Sequence, residues 1–170
     1  MRAIADFDRS LEIGPENAKA YYNRGDAYLR LGEYRTAISS YDRVLEIDPQ
    51  FAEAHNNRGF AYYVLGEYEQ AFADFGRAIE TDPDLAEAYN NRGYAYYEFE
   101  EYEKAIADYE KSLALDTQDA YIHYYLGLAY QGNNENEEAI ASFRTVLELS
   151  DTSKLRQLAQ DSLQELGAEP

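Results

Sequence analysis

Cysteine is absent from the 170-residue chain, which removes disulfides, thiolate nucleophiles and zinc–sulfur sites together. Basic residues are scarce: fifteen Lys and Arg stand against thirty-three Asp and Glu, a net charge of −18 with both histidines neutral. A surface of that sign repels phosphate backbones and anionic bilayers, so neither nucleic acid nor a membrane is an expected partner. No apolar stretch approaches the roughly eighteen residues of a membrane span. At the N-terminus Asp6, Asp8 and Arg9 fall where a signal peptide would need an unbroken apolar segment. Hydrophobic residues still make up 45% of the chain, enough for a packed core. Together these bounds predict a soluble, cytoplasmic, acidic protein of about one domain.

What the chain does have is a period. Pro15, Pro49 and Pro83 lie thirty-four residues apart, and Gly25, Gly59, Gly93 and Gly127 keep the same interval. So do Ala3, Ala37, Ala71, Ala105 and Ala139, and the aromatics Phe7, Tyr41, Phe75, Tyr109 and Phe143. The segment AYYNRGDAYLRLGEYRTAISSYDRVLEIDP returns as AHNNRGFAYYVLGEYEQAFADFGRAIETDP and again as AYNNRGYAYYEFEEYEKAIADYEKSLALDT. A fixed period of this length is the mark of a repeat architecture.

Each unit reads as two helices. In the second, Ala61, Val64 and Leu65 follow one apolar face, and Ala71, Phe72, Phe75, Ala78 and Ile79 another, both at helical spacing. Gly32 and Gly66 break the chain between them, where a glycine can take positive φ after a helix. Asp-Pro closes the unit, since proline cannot continue a finished helix but suits the entry to the next. Small residues at the Gly and Ala slots let paired helices approach closely. A single hairpin of this size cannot bury its apolar faces, so its neighbour must stabilise it.

The thirty-four-residue period, the Gly-x-x-Tyr of the first helix, the Ala-x-x-x-aromatic of the second and the closing proline resemble the tetratricopeptide repeat. The resemblance covers nearly the whole chain and implies an all-α, right-handed superhelical α-solenoid of stacked helix-turn-helix repeats. Read as one repeat domain over 1–170, it comprises a half repeat at 2–17 and repeats at 18–51, 52–85, 86–119 and 120–153. A capping helix follows at 153–166. The fourth repeat is degenerate, with QGNNENEEA in place of LGEYEQA. Its asparagine-rich turn lacks the ligand spacing and central glycine of a calcium loop. The half repeat leaves Ile4 and Phe7 short of an apolar partner, so homo-oligomer formation through that edge is expected. The capping helix is amphipathic, with Leu155, Leu158, Ala159, Ser162 and Leu166 towards one side, as the solvated end of a solenoid should be.

In the family this chain resembles, the first helices line a concave groove in which ligands lie. On that footing the groove carries Tyr22, Asn23, Asn56, Asn57, Phe60, Tyr63, Asn90, Asn91, Tyr94, Tyr97, Tyr124 and Tyr125. An asparagine side chain offers a donor and an acceptor, so it can pair with the main chain of any sequence. Tyrosine adds a large, stiff contact area with one polar tip. A peptide or helix of a partner protein is the ligand this surface suits. Chaperone-binding members of the family grip a C-terminal carboxylate with basic residues. Here those slots hold Tyr22, Glu53, Glu87 and Asn91, and only Lys19 and Arg30 bring positive charge. A neutral to basic partner is therefore expected.

Arg24, Arg58 and Arg92 lie a step round the helix from the asparagines. Asp74 and Asp108 share a slot on the second helix, which predicts structural ion pairs Arg58–Asp74 and Arg92–Asp108. The unit with Leu126 in place of arginine has Ser142 in place of the aspartate, although Arg24 faces Ser40. His55 and His123 take aromatic slots with no second ligand at metal spacing and read as packing residues. No carboxylate pair sits in an apolar pocket, and no phosphate-binding glycine loop occurs. The sequence thus points to a non-catalytic protein-interaction scaffold with neither cofactor nor metal. Two alternatives remain open: a self-associating structural array, and a docking or regulatory part of a larger protein.

Overall fold

The computed structural model describes Phe7, Arg9, Leu11, Gly14 and residues 16–115 and 119–169. Nine helices with assigned bounds occur among them, and no strand. They are α1 (Ala18–Arg30), α2 (Tyr34–Ile47), α3 (Ala52–Val64), α4 (Tyr68–Thr81), α5 (Ala86–Glu98), α6 (Tyr102–Leu115), α7 (Ala120–Gly132), α8 (Asn136–Leu149) and α9 (Ser153–Glu165). Phe7, Arg9 and Leu11 are also helical. Most of the half repeat at 2–17, including Ala3 and Ile4, lies outside the described residues, and with it the edge proposed for self-association.

The chain divides into two compact units, Met1–Ala88 and Tyr89–Pro170. In the first, α1 packs on α2, α2 on α3 and α3 on α4. Ala37, Tyr41, Val44 and Ala54 form a core, with Tyr21, Tyr22, Leu29 and Phe51 against it. In the second, Ala105, Ile106, Tyr109, Leu113, Ile122, Leu126 and Ala129 join α6 to α7. Ala139, Phe143, Val146, Leu155, Ala159 and Leu163 join α8 to α9, so the last helix covers the apolar side of the fourth hairpin.

The repeat-spaced residues explain this packing. Tyr41, Phe75, Tyr109 and Phe143 are all buried, each worth about 1.5–3 kcal/mol relative to exposure. Their rings lie against the facing first helix so tightly that a Cβ at Gly25 or Gly127 would come within 2.6 Å of ring carbon. Only glycine permits that approach.

All four hairpin turns share one backbone. At the first, the N–H of Gly32 donates to Leu29 O (3.0 Å) and that of Glu33 to Tyr28 O (3.0 Å), the paired bonds that close a helix on a left-handed residue. Gly32 and Gly66 sit at φ 75° and 77°. The third and fourth turns make the equivalent bonds, Glu101 N–H to Tyr96 O and Glu135 N–H to Tyr130 O, with Glu100 and Asn134 at φ 59° and 63°. The degenerate turn therefore keeps its shape, and Glu100 holds a conformation that L side chains disfavour. Between hairpins the carboxylates of Asp48 and Asp82 accept from the backbone two residues on, at 3.0 Å each. Asp119 starts α7 by accepting from the N–H of Tyr121 at 2.8 Å.

Candidate functional site

Within the first unit, α1 and α3 share a face, and Asn57 links them. Its Nδ2 donates to the Tyr22 hydroxyl (3.1 Å) and to Asp26 Oδ1 (3.0 Å). The same Oδ1 accepts from the Tyr41 hydroxyl at 2.7 Å. One carboxylate thus gathers a phenol from its own hairpin and an amide from the next, fixing the register of the two. Asn57 Oδ1 in turn accepts from Asn56 Nδ2 at 3.1 Å. Asn56 is only 5% exposed. It braces Asn57 from behind instead of standing on the face, because its slot, one residue earlier, turns into the helix–helix contact.

The aromatic part of this face is half-buried. Tyr22 stacks on Phe51 with ring centroids 4.9 Å apart, and Lys19 Nζ lies 5.4 Å from the Tyr22 ring centre. Burial, with Asp26 and Glu53 nearby, pushes the Tyr22 hydroxyl up to about 12, so it remains a neutral phenol at any physiological pH. Tyr63 lies 5.7 Å from Tyr68, and Phe60 sits one turn before it on α3. Asn23 and Asp26 line a cavity of about 270 Å³ together with Ala27, Arg30 and Phe7.

The second unit builds its face from rings. Tyr94 and Tyr97 on α5 meet Tyr125 on α7 at 5.1 and 6.0 Å, both edge-on. Tyr125 also stacks over Tyr109 at 6.5 Å, and Tyr124 lies 5.8 Å from Tyr125 and 5.7 Å from Phe143. Such contacts add about 0.5–1.5 kcal/mol each beyond the area they bury. Burial raises the pKa of Tyr94, Tyr97 and Tyr124, and raises that of Tyr109 furthest. The Tyr109 hydroxyl is buried without a hydrogen-bond partner among the described residues. Asn90 and Asn91 are half-buried on α5.

The arginines stand off these faces. Arg58 binds Asp74 with two parallel bonds, Nε to Oδ2 and Nη2 to Oδ1, each 2.7 Å. Its Nη1 donates to Asp42 on α2, also at 2.7 Å, so one guanidinium ties two hairpins. Burial works against the charge of Arg58, yet Asp74 and Asp42 outweigh it and raise its pKa. Burial works equally against the Asp74 carboxylate, but Arg58 and His55 overcome it and lower the pKa. Arg92 binds Asp108 in the same bidentate way, at 2.7 and 2.8 Å. Where the first repeat has serine, Arg24 Nε donates to Ser40 Oγ at 3.2 Å. His55 does more than fill space: its ring nitrogens lie 3.4 Å from Asp74 Oδ1 and 3.1 Å from Pro49 O. Reasoning from sequence places Asp26 on the groove face, in the slot of Phe60 and Tyr94, but misses its bonds to Tyr41 and Asn57, and it misses Asp42 and this role of His55. Among the described residues no cluster of three His, Asp or Glu could hold a metal, and no helix is long and apolar enough to cross a membrane.

Family models match the chain from residue 7 to residue 153. A TPR repeat model matches 25–66 and 61–100, and tetratricopeptide repeat models match 7–39, 86–119 and 120–153. The chain belongs to the tetratricopeptide repeat family. Its fold class is accordingly an α-solenoid of helical repeats. A crystal structure of MamA is 30% identical with TM-score 0.77, covering 85% of each chain. MamA 41-end from Desulfovibrio magneticus RS-1 is 25% identical with TM-score 0.76, over 88% of this chain and 86% of that one. YrrB, described as a TPR protein with an unusual peptide-binding site, matches at 21% identity and TM-score 0.78, over 94% and 82%. No curated protein matches. Tetratricopeptide repeats are in general non-catalytic, and the chain is a protein-interaction scaffold.

Proposed function

We propose that the chain acts without catalysis, holding a peptide or helix of a partner protein on the first-helix faces of its two units. In the first unit Tyr22, Asn23, Asn57, Phe60 and Tyr63 would make the contacts. In the second they would come from Asn90, Asn91, Tyr94, Tyr97, Tyr124 and Tyr125. The observation that carries this reading is the half-buried state of the rings on both faces. Phe60, Tyr63, Tyr94 and Tyr97 are positioned by neighbouring helices yet keep surface for a ligand to cover. Side-chain amides beside them can pair with the main chain of an extended segment. YrrB sets a precedent for a peptide-binding site on this fold. The net charge of −18 steers a neutral or basic segment towards these faces faster than an acidic one.

Asn57 is a poor probe of this reading, because alanine there would also cut the link to Tyr22 and Asp26. Asn23→Ala and Phe60→Ala in the first unit and Tyr97→Ala in the second leave the ion pairs intact. A partner captured from the source cell should lose about tenfold or more in affinity when Phe60 and Tyr97 are both truncated. Helicity should be unchanged. Undiminished capture by that double variant would remove the first-helix faces as the binding surface.

A further inference from the structure

Among the described residues the hydrogen-bond donors to Asp26 are neutral groups. The bonds from the Tyr41 hydroxyl and from Asn57 Nδ2 both fall on Oδ1. The Tyr22 hydroxyl acts on the same carboxylate, and Oδ2 accepts from neither Tyr41 nor Asn57. Lys19 lies over the rings of Tyr22 and Phe51, and Arg30 lines the same cavity as Asp26 without an ion pair to it. Among the described residues no lysine or arginine forms an ion pair with Asp26. The cavity beside it, about 270 Å³, has apolar walls at Ala27 and Phe7 and a side-chain amide at Asn23. Glu53 is close enough to Tyr22 to act on its hydroxyl.

A carboxylate whose position is fixed by two donors, facing a part-enclosed cavity, is a preorganised acceptor for a cation. From this arrangement we infer that Asp26 is the specificity-determining residue of the first unit, taking the ammonium of a lysine side chain from the bound partner segment. Lysine suits the geometry better than arginine. Oδ1 is already occupied by two donors, so the remaining oxygen matches a compact point charge, whereas a guanidinium fork needs both oxygens. The apolar walls of the cavity fit the methylene stem of the same side chain. This inference rests on the proposed peptide-binding reading, and its test separates the two.

The first arm titrates the full chain with Nα-acetyl-lysine methylamide, following backbone amide shifts, with the norleucine, arginine and glutamate analogues as matched probes. Saturable shifts at Asn23, Asp26 and Ala27 are expected with the lysine probe and about tenfold weaker binding with norleucine. Asp26→Asn keeps an oxygen for Tyr41 and Asn57 but loses the charge, and should abolish that preference. Ala27→Lys, which places a cation in the cavity without touching either donor, should abolish it too. The second arm pans a random peptide library on the wild-type chain and on Asp26→Asn. Enrichment of lysine on the wild type alone supports the inference. Bound peptides with no lysine preference, or with one that survives both variants, overturn it while the interaction surface stands. Lysine-probe saturation without any retained peptide upholds the cation site and overturns the peptide reading. Neither probe nor peptide binding overturns both.

Discussion

The first and second units place a tyrosine in the same repeat slot and treat its hydroxyl in opposite ways. Tyr41 donates to Asp26 at 2.7 Å, whereas the hydroxyl of Tyr109, sixty-eight residues later, has no partner among the described residues. The cause lies on the facing first helix, where the slot of Asp26 holds Tyr94. The first unit therefore has a polar face, with a carboxylate, an amide and two phenols in one network. The second has an aromatic face, with Tyr94, Tyr97, Tyr124 and Tyr125 packed ring to ring and a stranded hydroxyl beneath them. A repeat framework can hold its backbone constant while the chemistry of its exposed face changes from unit to unit. The ring is kept for packing; what its oxygen meets is decided by one other residue.

The comparison can be pressed hardest through the ion pairs, which both units share. Asp74→Ala leaves the part-buried Arg58 with Asp42 as its one carboxylate partner among the described residues and should cost about 3 kcal/mol in urea unfolding of the full chain. Replacing Arg58 and Asp74 together by apolar residues of similar size should cost clearly less, and purely additive losses would dismiss the pair. The pH dependence has a definite sign. Asp74 has a folded pKa below its ordinary 3.8, so its contribution is present above that pH and is lost as the pH falls through the lower folded value. Asp74→Asn should flatten that acid limb.

The hydroxyls come next. Tyr41→Phe removes a bond to a charged acceptor and should destabilise by about 1.5–3 kcal/mol. Tyr109→Phe removes only a stranded polar atom and should be neutral or gain about 1 kcal/mol. Equal losses at both positions would mean that the Tyr109 hydroxyl is satisfied by ordered water. The smallest effect expected is at the hairpin turns. Glu100→Gly should stabilise by about 1 kcal/mol, because glycine carries no penalty at φ 59°. The reverse change at the first turn, Gly32→Ala, should destabilise by a similar amount.

Much of the fold was legible because several constraints repeat at one interval. Ala37, Ala71, Ala105 and Ala139 are completely buried, and the aromatics four residues on fill the contact between helices. Sequence spacing alone also paired Arg58 with Asp74, since the repeat lacking the arginine lacks the aspartate. Other features left no pattern. The slot of Asp42 holds glycine, glutamate and arginine in the later repeats, so nothing announced its bond to Arg58. Asn56 and Asn57 are neighbours of the same type, and only helix packing separates the buried brace from the residue that reaches the next hairpin. Glu100 stands in the slot of Gly32 and Gly66, and its positive φ is imposed by the two backbone bonds that close the turn. Asp26 shares its slot with an aromatic or aliphatic residue in every other repeat, which hid its part in the polar network.

Amide hydrogen exchange of the full chain, with and without a captured partner, bears most directly on where that partner sits. Protection should rise in α1 and α3 of the first unit and in α5 and α7 of the second, with α2, α4, α6 and α8 little changed. Protection confined to the second helices, or to the acidic turn Glu100–Glu103, would contradict binding on the first-helix faces.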